Sequence, residues 1–199
     1  MNYAVKTERA KTEKYVDSAF KGMKDCTLTS YQNVLNSKNC DKVVFMGVLR
    51  GSNLIYKWAE KNKKDFYYID RPYWGESRAT PYWMRCVKNQ HVKTFTDTRP
   101  DDRFKQQFKD EIKPYHKNGQ YVLVVPPSHA MAEHFNAHDW LQKTIDVLKA
   151  NTDRELVIRE KPYNPEAVID ATGKMTPGKS SNNKPPRPFE WHKVHAVVT

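Results

Sequence analysis

The chain has 199 residues, a formal net charge of +11, 38% hydrophobic and 12% aromatic residues, and 12 prolines. That length can bury the core of one large domain or two small ones, and the aromatic content excludes disorder of the whole chain. The longest apolar run falls far short of a membrane span and Met1-Asn2-Tyr3 leads into charged sequence. No anchor or signal peptide is therefore expected, and the cytoplasm is the default compartment. Cys26, Cys40 and Cys86 are odd in number and lack CxxC spacing, which argues against a disulfide framework and a zinc site. The positive charge suits a polyanion or a phosphate-bearing ligand, and suits a lysine-rich solvated surface equally well.

Residues 5–24 read as a helix, with Val5, Tyr15, Val16, Ala19, Phe20 and Met23 marking an apolar stripe in its later turns. Residues 27–36 read as a second, shorter helix with Tyr31, Val34 and Leu35 inward. Val43-Val44-Phe45-Met46 is then a strand, ended by Gly47. In Gly47-Val48-Leu49-Arg50-Gly51-Ser52 two glycines flank a turn, after which Leu54, Ile55, Trp58 and Ala59 fall at helical spacing. Ser52 or Asn53 is the expected N-cap. Lysines in the segment 61–64 close this helix where its macrodipole favours positive charge. Asp65-Phe66-Tyr67-Tyr68-Ile69-Asp70 resumes a strand, so residues 42–70 form a βαβ unit with Trp58 against the sheet. A glycine turn feeding a helix presents backbone N–H groups to phosphate, which makes Gly47, Arg50 and Gly51 candidate ligand residues. The spacing matches neither the Walker nor the dinucleotide fingerprint, so a simple tight turn explains it equally well.

After Asp70 the sequence becomes aromatic and irregular. Tyr73, Trp74, Tyr82 and Trp83, beside Arg71, Arg78 and Arg85, either stack a base or sugar ring or pack a small core. Residues 82–88 read as a strand, and Phe104, Phe108 and Ile112 mark a weak helical stripe. Pro114 and Gly119 bracket a connector.

A second βαβ unit occupies residues 120–162. Tyr121-Val122-Leu123-Val124-Val125 is an unbroken apolar run, as a parallel strand covered on both faces requires. Pro126-Pro127-Ser128-His129 stops its ladder, because proline carries no backbone donor. Trp140, Leu141, Thr144, Ile145 and Leu148 then share one helical face, and Glu155-Leu156-Val157-Ile158-Arg159 returns to a strand. In open α/β sheets ligands sit beyond the carboxyl ends of the strands, which puts Ser128, His129, Arg159 and Lys161 beside one crevice. Residues 162–188 are proline-rich and aperiodic and read as a long loop, and Val194, Ala196, Val197 and Val198 as a final strand.

Two stretches carry a family resemblance. Val44-Phe45-Met46-Gly47-Val48-Leu49-Arg50-Gly51-Ser52, with Phe66-Tyr67-Tyr68-Ile69-Asp70-Arg71-Pro72-Tyr73-Trp74-Gly75, resembles the acceptor-side domain of GT-B glycosyltransferases. The likeness is to the divergent phage and capsule-polysaccharide members in particular. Residues 122–127, with Trp140, Thr152-Asp153-Arg154 and Val157-Ile158-Arg159-Glu160-Lys161-Pro162, are similar to the opening of that family's nucleotide-sugar domain, and residues 192–199 to its next strand. The resemblance implies an α/β protein of parallel-sheet, Rossmann-like βαβ units, a truncated GT-B fold. An acceptor-side lobe would occupy residues 1–117 and a partial nucleotide-sugar lobe residues 118–199. It implies transfer of a sugar from a nucleotide sugar to a hydroxyl acceptor, such as a modified base in phage DNA, in the host cytoplasm and without a separate cofactor. In that family a Ser- or Glu-bearing turn and helix follow the strand resembled by residues 194–199. The resemblance therefore implies a donor site completed by a second chain, a fragment of a longer or split enzyme, or a relative that has lost catalysis.

Sugar transfer needs positive charge beside the leaving diphosphate, and Arg159 and Lys161, with Ser128, are the candidates. It also needs a base near the acceptor hydroxyl, for which Asp70 and His129 are the candidates, with His134 also considered. His134 and His138 are accompanied only by Glu133, too little for a metal site, and no metal is expected. The rival reading is a basic, non-catalytic α/β module that binds nucleic acid. Stabilisation by a nucleotide favours the first reading, and steeply salt-dependent DNA binding the second.

Overall fold

The computed structural model describes residues 1–6, 10–71, 84–92, 118–161, 166–178 and 190–199. The expectations for Tyr73, Trp74, Arg78, Tyr82, Trp83, Phe104, Phe108, Ile112 and Pro114 lie outside the described residues. The protein is mixed α/β, with a mostly parallel central sheet and several helices. Among the described residues no helix is long and apolar enough to cross a membrane. The chain divides into two compact units, one of Met1–Lys93 with Ala167–Gly178, the other of Thr94–Glu166 with Lys179–Thr199.

The first unit is built on β1 (Asn2–Val5), α1 (Ala10–Gly22), β2 (Cys26–Thr29), α2 (Tyr31–Leu35), β3 (Lys42–Met46), α3 (Ser52–Lys61), β4 (Asp65–Asp70) and β5 (Arg85–Lys88). Its five strands lie in the order β2-β1-β3-β4-β5. The first four are parallel, and β5 returns antiparallel to β4 with Asp70 opposite Arg85. Alternation along the strands sends Ala4, Val44 and Ile69 to one face, where Val16, Ala19 and Phe20 of α1 cover them. Phe45, Phe66 and Tyr68 take the other face against Tyr56 of α3, with ring centroids 5.0 Å apart for Tyr56–Phe66 and 5.8 Å for Phe45–Tyr68. Such ring pairs add about 0.5–1.5 kcal/mol each beyond the area they bury. The helices after β1 and β3 thus cover opposite faces, and the order turns back between those two strands.

The expected unit over 42–70 is present, with β3 and β4 in parallel register from Lys42 opposite Asp65 to Met46 opposite Ile69. Trp58 is only half-buried, because Ile55, Tyr56 and Ala59 fill the face of α3 that meets the sheet. The expected helix over 5–24 is shorter and is preceded by a strand. Ala4 and Val5 are buried at the middle of the sheet, and that pairing outweighs local preference. The second expected helix gives up residues 27–29 to β2, and α2 is capped by Ser30, whose hydroxyl accepts from the Asn33 N–H at 3.4 Å.

The expected loop over 162–188 holds a hairpin, β8 (Ala167–Ile169) antiparallel to β9 (Met175–Pro177), and this hairpin belongs to the first unit. Its turn is set by Asp170, whose Oδ1 accepts from the N–H groups of Thr172 at 2.9 Å and Lys174 at 3.1 Å. Gly173 supplies the left-handed φ of +80° that the turn requires.

The second unit contains β6 (Tyr121–Val124), α4 (His129–Phe135), α5 (Trp140–Asn151), β7 (Glu155–Ile158) and β10 (Val194–Val198). The strands are parallel in the order β10-β6-β7, with β6 buried along its length. The βαβ unit and the final strand therefore form as expected, with α4 as an addition. The stripe Trp140, Leu141, Thr144, Ile145 and Leu148 is half-buried, and no residue of α5 is fully buried. Gly119 makes the close approach of this unit, since a Cβ there would lie 2.3 Å from His195 Cα.

Candidate functional site

The carboxyl ends of β3 and β4 bring the glycine turn and Asp70 to one edge of the first sheet. Gly47 donates its N–H to the Ile69 carbonyl at 2.9 Å, which ties the turn to the end of β4. Gly47, Arg50 and Gly51 have φ of +67°, +59° and +93°, so three left-handed residues reverse the chain within one turn. Gly51 is required twice over, because a Cβ there would also lie 2.5 Å from the Tyr31 ring. Gly51, and neither Ser52 nor Asn53, is the N-cap of α3, and both of those side chains are buried.

Protein acceptors already face this turn. The Arg50 N–H donates to the Met175 carbonyl, the Ser52 N–H to Leu49 and the Leu54 N–H to Gly51. The Asn53 side chain clamps the hairpin from both sides. Its amide nitrogen donates to the Gly173 carbonyl at 2.8 Å, and its oxygen accepts from the Met175 N–H at 3.2 Å. The structure therefore brings Gly47, Arg50 and Gly51 together as expected, and docks a distant hairpin on them.

Asp70 is held from three directions. Its Oδ1 accepts from the Arg71 N–H at 2.7 Å, and its Oδ2 accepts from the Tyr68 hydroxyl at 2.8 Å and from Arg85 Nη2 at 3.2 Å. His91 Nε2 lies 3.8 Å from the same Oδ2, and its ring is 4.9 Å from that of Tyr68. Burial, reinforced by the Asp70 charge, pushes the Tyr68 phenol far up, so it stays a proton donor. Burial also lowers the His91 pKa, and the Arg85 cation lowers it further against the pull of Asp70. The result is an oriented carboxylate beside a neutral imidazole, with the Asp70 side chain 29% exposed.

Sequence reading singled out Asp70 but not Tyr68, Arg85 or His91 in this role. Tyr68 and Asp70 are two apart in one strand and so share a face. Arg85 arrives only through the antiparallel register of β5, which no local pattern states.

In the second unit Ser128 is the N-cap of α4, and its carbonyl accepts from the Met131 and Ala132 N–H groups, both at 2.9 Å. His129 Nε2 lies 3.7 Å from Glu133 Oε1, and His138 Nε2 lies 3.6 Å from the same oxygen. His134 is buried edge-on to the Phe135 ring at 4.6 Å. Arg159 donates its N–H to the Val124 carbonyl at 2.8 Å, which places its Cα at the carboxyl end of β6, and its guanidinium lies 5.8 Å from the Trp191 ring centroid. Lys161 is exposed two residues further on. Ser128, His129, Arg159 and Lys161 therefore follow neighbouring strand ends in one unit, whereas Gly47, Arg50, Gly51 and Asp70 belong to the other. Because β6 lies between β7 and β10, the strand order turns back between β6 and β10, one strand away from Arg159. Among the described residues no group of three or more His, Cys, Asp or Glu is placed to hold a metal ion.

No family model, curated protein or solved structure matches the chain.

Proposed function

We propose that the chain is a glycosyltransferase-like protein that moves a sugar from a nucleotide sugar to a hydroxyl acceptor. The observation that supports this reading is the layout of the two units. The first is a mostly parallel and the second a parallel α/β sheet; in each the strand order turns back beside an inner strand, and each gathers titratable or cationic side chains at its carboxyl edge. In this reading Arg159, Lys161 and Ser128 hold the donor diphosphate. Arginine offers a planar fork to phosphate oxygens, and lysine a compact charge beside it. The acceptor oxygen attacks the anomeric carbon, the bond from that carbon to the diphosphate oxygen breaks, and the diphosphate leaves with the electron pair. His129, in the same unit and with its Nε2 3.7 Å from Glu133 Oε1, accepts the hydrogen bond of the attacking hydroxyl and takes its proton. Asp70, oriented by Tyr68, Arg85 and the Arg71 N–H, is the candidate base that the first unit carries on its own edge.

The test is UDP binding by calorimetry with wild type and Arg159→Ala. Loss of charge-assisted hydrogen bonds to the diphosphate predicts a weakening of about 1.5–3 kcal/mol, or roughly 10- to 150-fold. The same substitution removes the guanidinium from the Trp191 ring, an exposed cation–π pair worth about 0.5–1 kcal/mol of stability, so the fold should survive. Absence of UDP binding by the wild type refutes the reading. Equal affinity of the two proteins removes Arg159 from the site.

A further inference from the structure

We propose that the strand-start edge of the first sheet docks duplex DNA through its phosphate backbone. In a parallel α/β sheet every helix-to-strand connection lies at this edge, opposite the one that carries Gly47 and Asp70. Each such connection in the first unit carries lysine. Between α1 and β2 these are Lys21, in the last turn, and Lys24, whose carbonyl accepts from the Asn2 side chain at the start of β1 at 3.0 Å. Between α2 and β3 they are Lys38 and Lys42, the latter the first residue of its strand. Between α3 and β4 they are Lys61, Lys63 and Lys64, with the Lys64 N–H bound to the Ala59 carbonyl at 2.9 Å so that β4 starts at once. The antiparallel β5 brings its last residue, Lys88, to the same edge, where its amine pairs with Asp65 at 2.8 Å. All but the half-buried Lys64 are exposed.

Four carboxylates share the edge. Asp65 is engaged by Lys88, and Asp41 by the Met1 amine, whose pairing lowers its pKa, leaving Asp25 and Glu60. The edge thus carries twice as many lysines as carboxylates. The described residues of the first unit as a whole hold twice as many basic as acidic side chains, whereas those of the second hold more acidic than basic. The chain's positive charge is therefore concentrated on the unit that bears this edge.

The shape and chemistry favour a duplex. Five strands at about 4.8 Å spacing make an edge roughly 19 Å wide. A duplex presents one phosphate charge per ~1.7 Å of axis, so about 11 phosphates lie along that width. Lysine supplies point charges without the arginine fork that reads base edges. Single-strand binding relies on aromatic side chains beside the cations, and the connections 23–25, 36–41 and 62–64 that form this edge contain none. The partner is therefore the regular backbone of duplex DNA, held without regard to sequence. This surface does not depend on sugar transfer, which UDP binding tests by itself.

The test is fluorescence anisotropy with a labelled duplex of about 20 base pairs, titrated between roughly 50 and 200 mM salt, an experiment that reads counterion release. A surplus of about four charges on the edge predicts a slope of log K against log salt of about −4. The triple variant Lys61→Gln, Lys63→Asn, Lys64→Gln should make that slope shallower by about 2–3. Asparagine is chosen at 63 because that residue has a φ of +52°, which asparagine tolerates. A charge-matched control, Lys14→Gln, Lys143→Gln, Lys149→Gln, should leave the slope within about 1 of wild type, with unfolding curves confirming that both triples fold. The proposal is overturned by absent duplex binding at the lowest salt, by equal losses in the two triples, or by tighter binding to a single strand. Anionic vesicles bound through the same edge, with no duplex binding, would replace DNA with a membrane surface.

Discussion

Asn53 should be the most costly polar side chain of the first unit to truncate. It is 1% exposed, and its two hydrogen bonds reach backbone groups at Gly173 and Met175. In Asn53→Ala two bonds of about 1 kcal/mol net each disappear. The Met175 N–H also loses its acceptor beside a side chain that is 1% exposed, and an unsatisfied buried group adds about 1–3 kcal/mol. The expected effect on hairpin docking is therefore about 3–5 kcal/mol. Trypsin provides the assay, because the Lys174–Met175 bond lies within the docked strand pair and is cut only when the hairpin opens. If cleavage follows the open population, the rate at that bond should rise about 150- to 5,000-fold. Asn53→Asp should fall between wild type and alanine, since a carboxylate still accepts from Met175 but cannot donate to Gly173. An unchanged cleavage rate in Asn53→Ala, with a stability change below about 0.5 kcal/mol, would show that the clamp contributes nothing.

Two glycines should respond in opposite ways. Gly119→Ala places a Cβ against the His195 backbone and should destabilise the second unit by at least the 1–3 kcal/mol or so of overpacking, whereas Gly22→Ala meets nothing within 4 Å and should stabilise by about 0.4–1 kcal/mol. Chemical denaturation of both variants checks the pair. Stability should also fall as pH drops through about 6.5, because His91 has a lowered pKa in the fold and the unfolded chain takes up that proton first. Above that pH the histidine contributes no pH dependence, and His91→Gln should flatten the curve below about pH 6.5. The lowered carboxylates Asp41 and Asp65 act in a separate window, where stability is lost as pH falls below about 4.

Legibility in the sequence followed the length and burial of each element. The strand–helix–strand segments over 42–70 and 121–158 were readable because their apolar runs and helical stripes are unambiguous, and their parallel pairing followed. Asn2-Tyr3-Ala4-Val5 and Cys26-Thr27-Leu28-Thr29 were not, since four residues against a neighbouring helix leave no period to detect. Asp170-Ala171-Thr172-Gly173 did carry the chemistry of a turn, but its flanking strands are three residues each and looked like loop. Ser128 could have announced α4 as an N-cap, had the two prolines before it not suggested only an end to β6. At the candidate site Asp70 was visible as a charged strand end. Its partners Arg85 and His91 were not, because they reach it through antiparallel register and loop path.

The hairpin on α3 also sets an order of events during synthesis. Asn53 and Met175 are 122 positions apart, yet each satisfies the other's buried polar group. At about 5–20 residues per second, the ribosome delivers Met175 roughly 6–24 s after Asn53. All five strands of the first sheet have left the peptidyl-transferase centre well before then, as has β6 of the second unit. Over that interval the start of α3 has water where the finished protein has carbonyls. The first unit to begin folding therefore cannot finish until much of the second has been made.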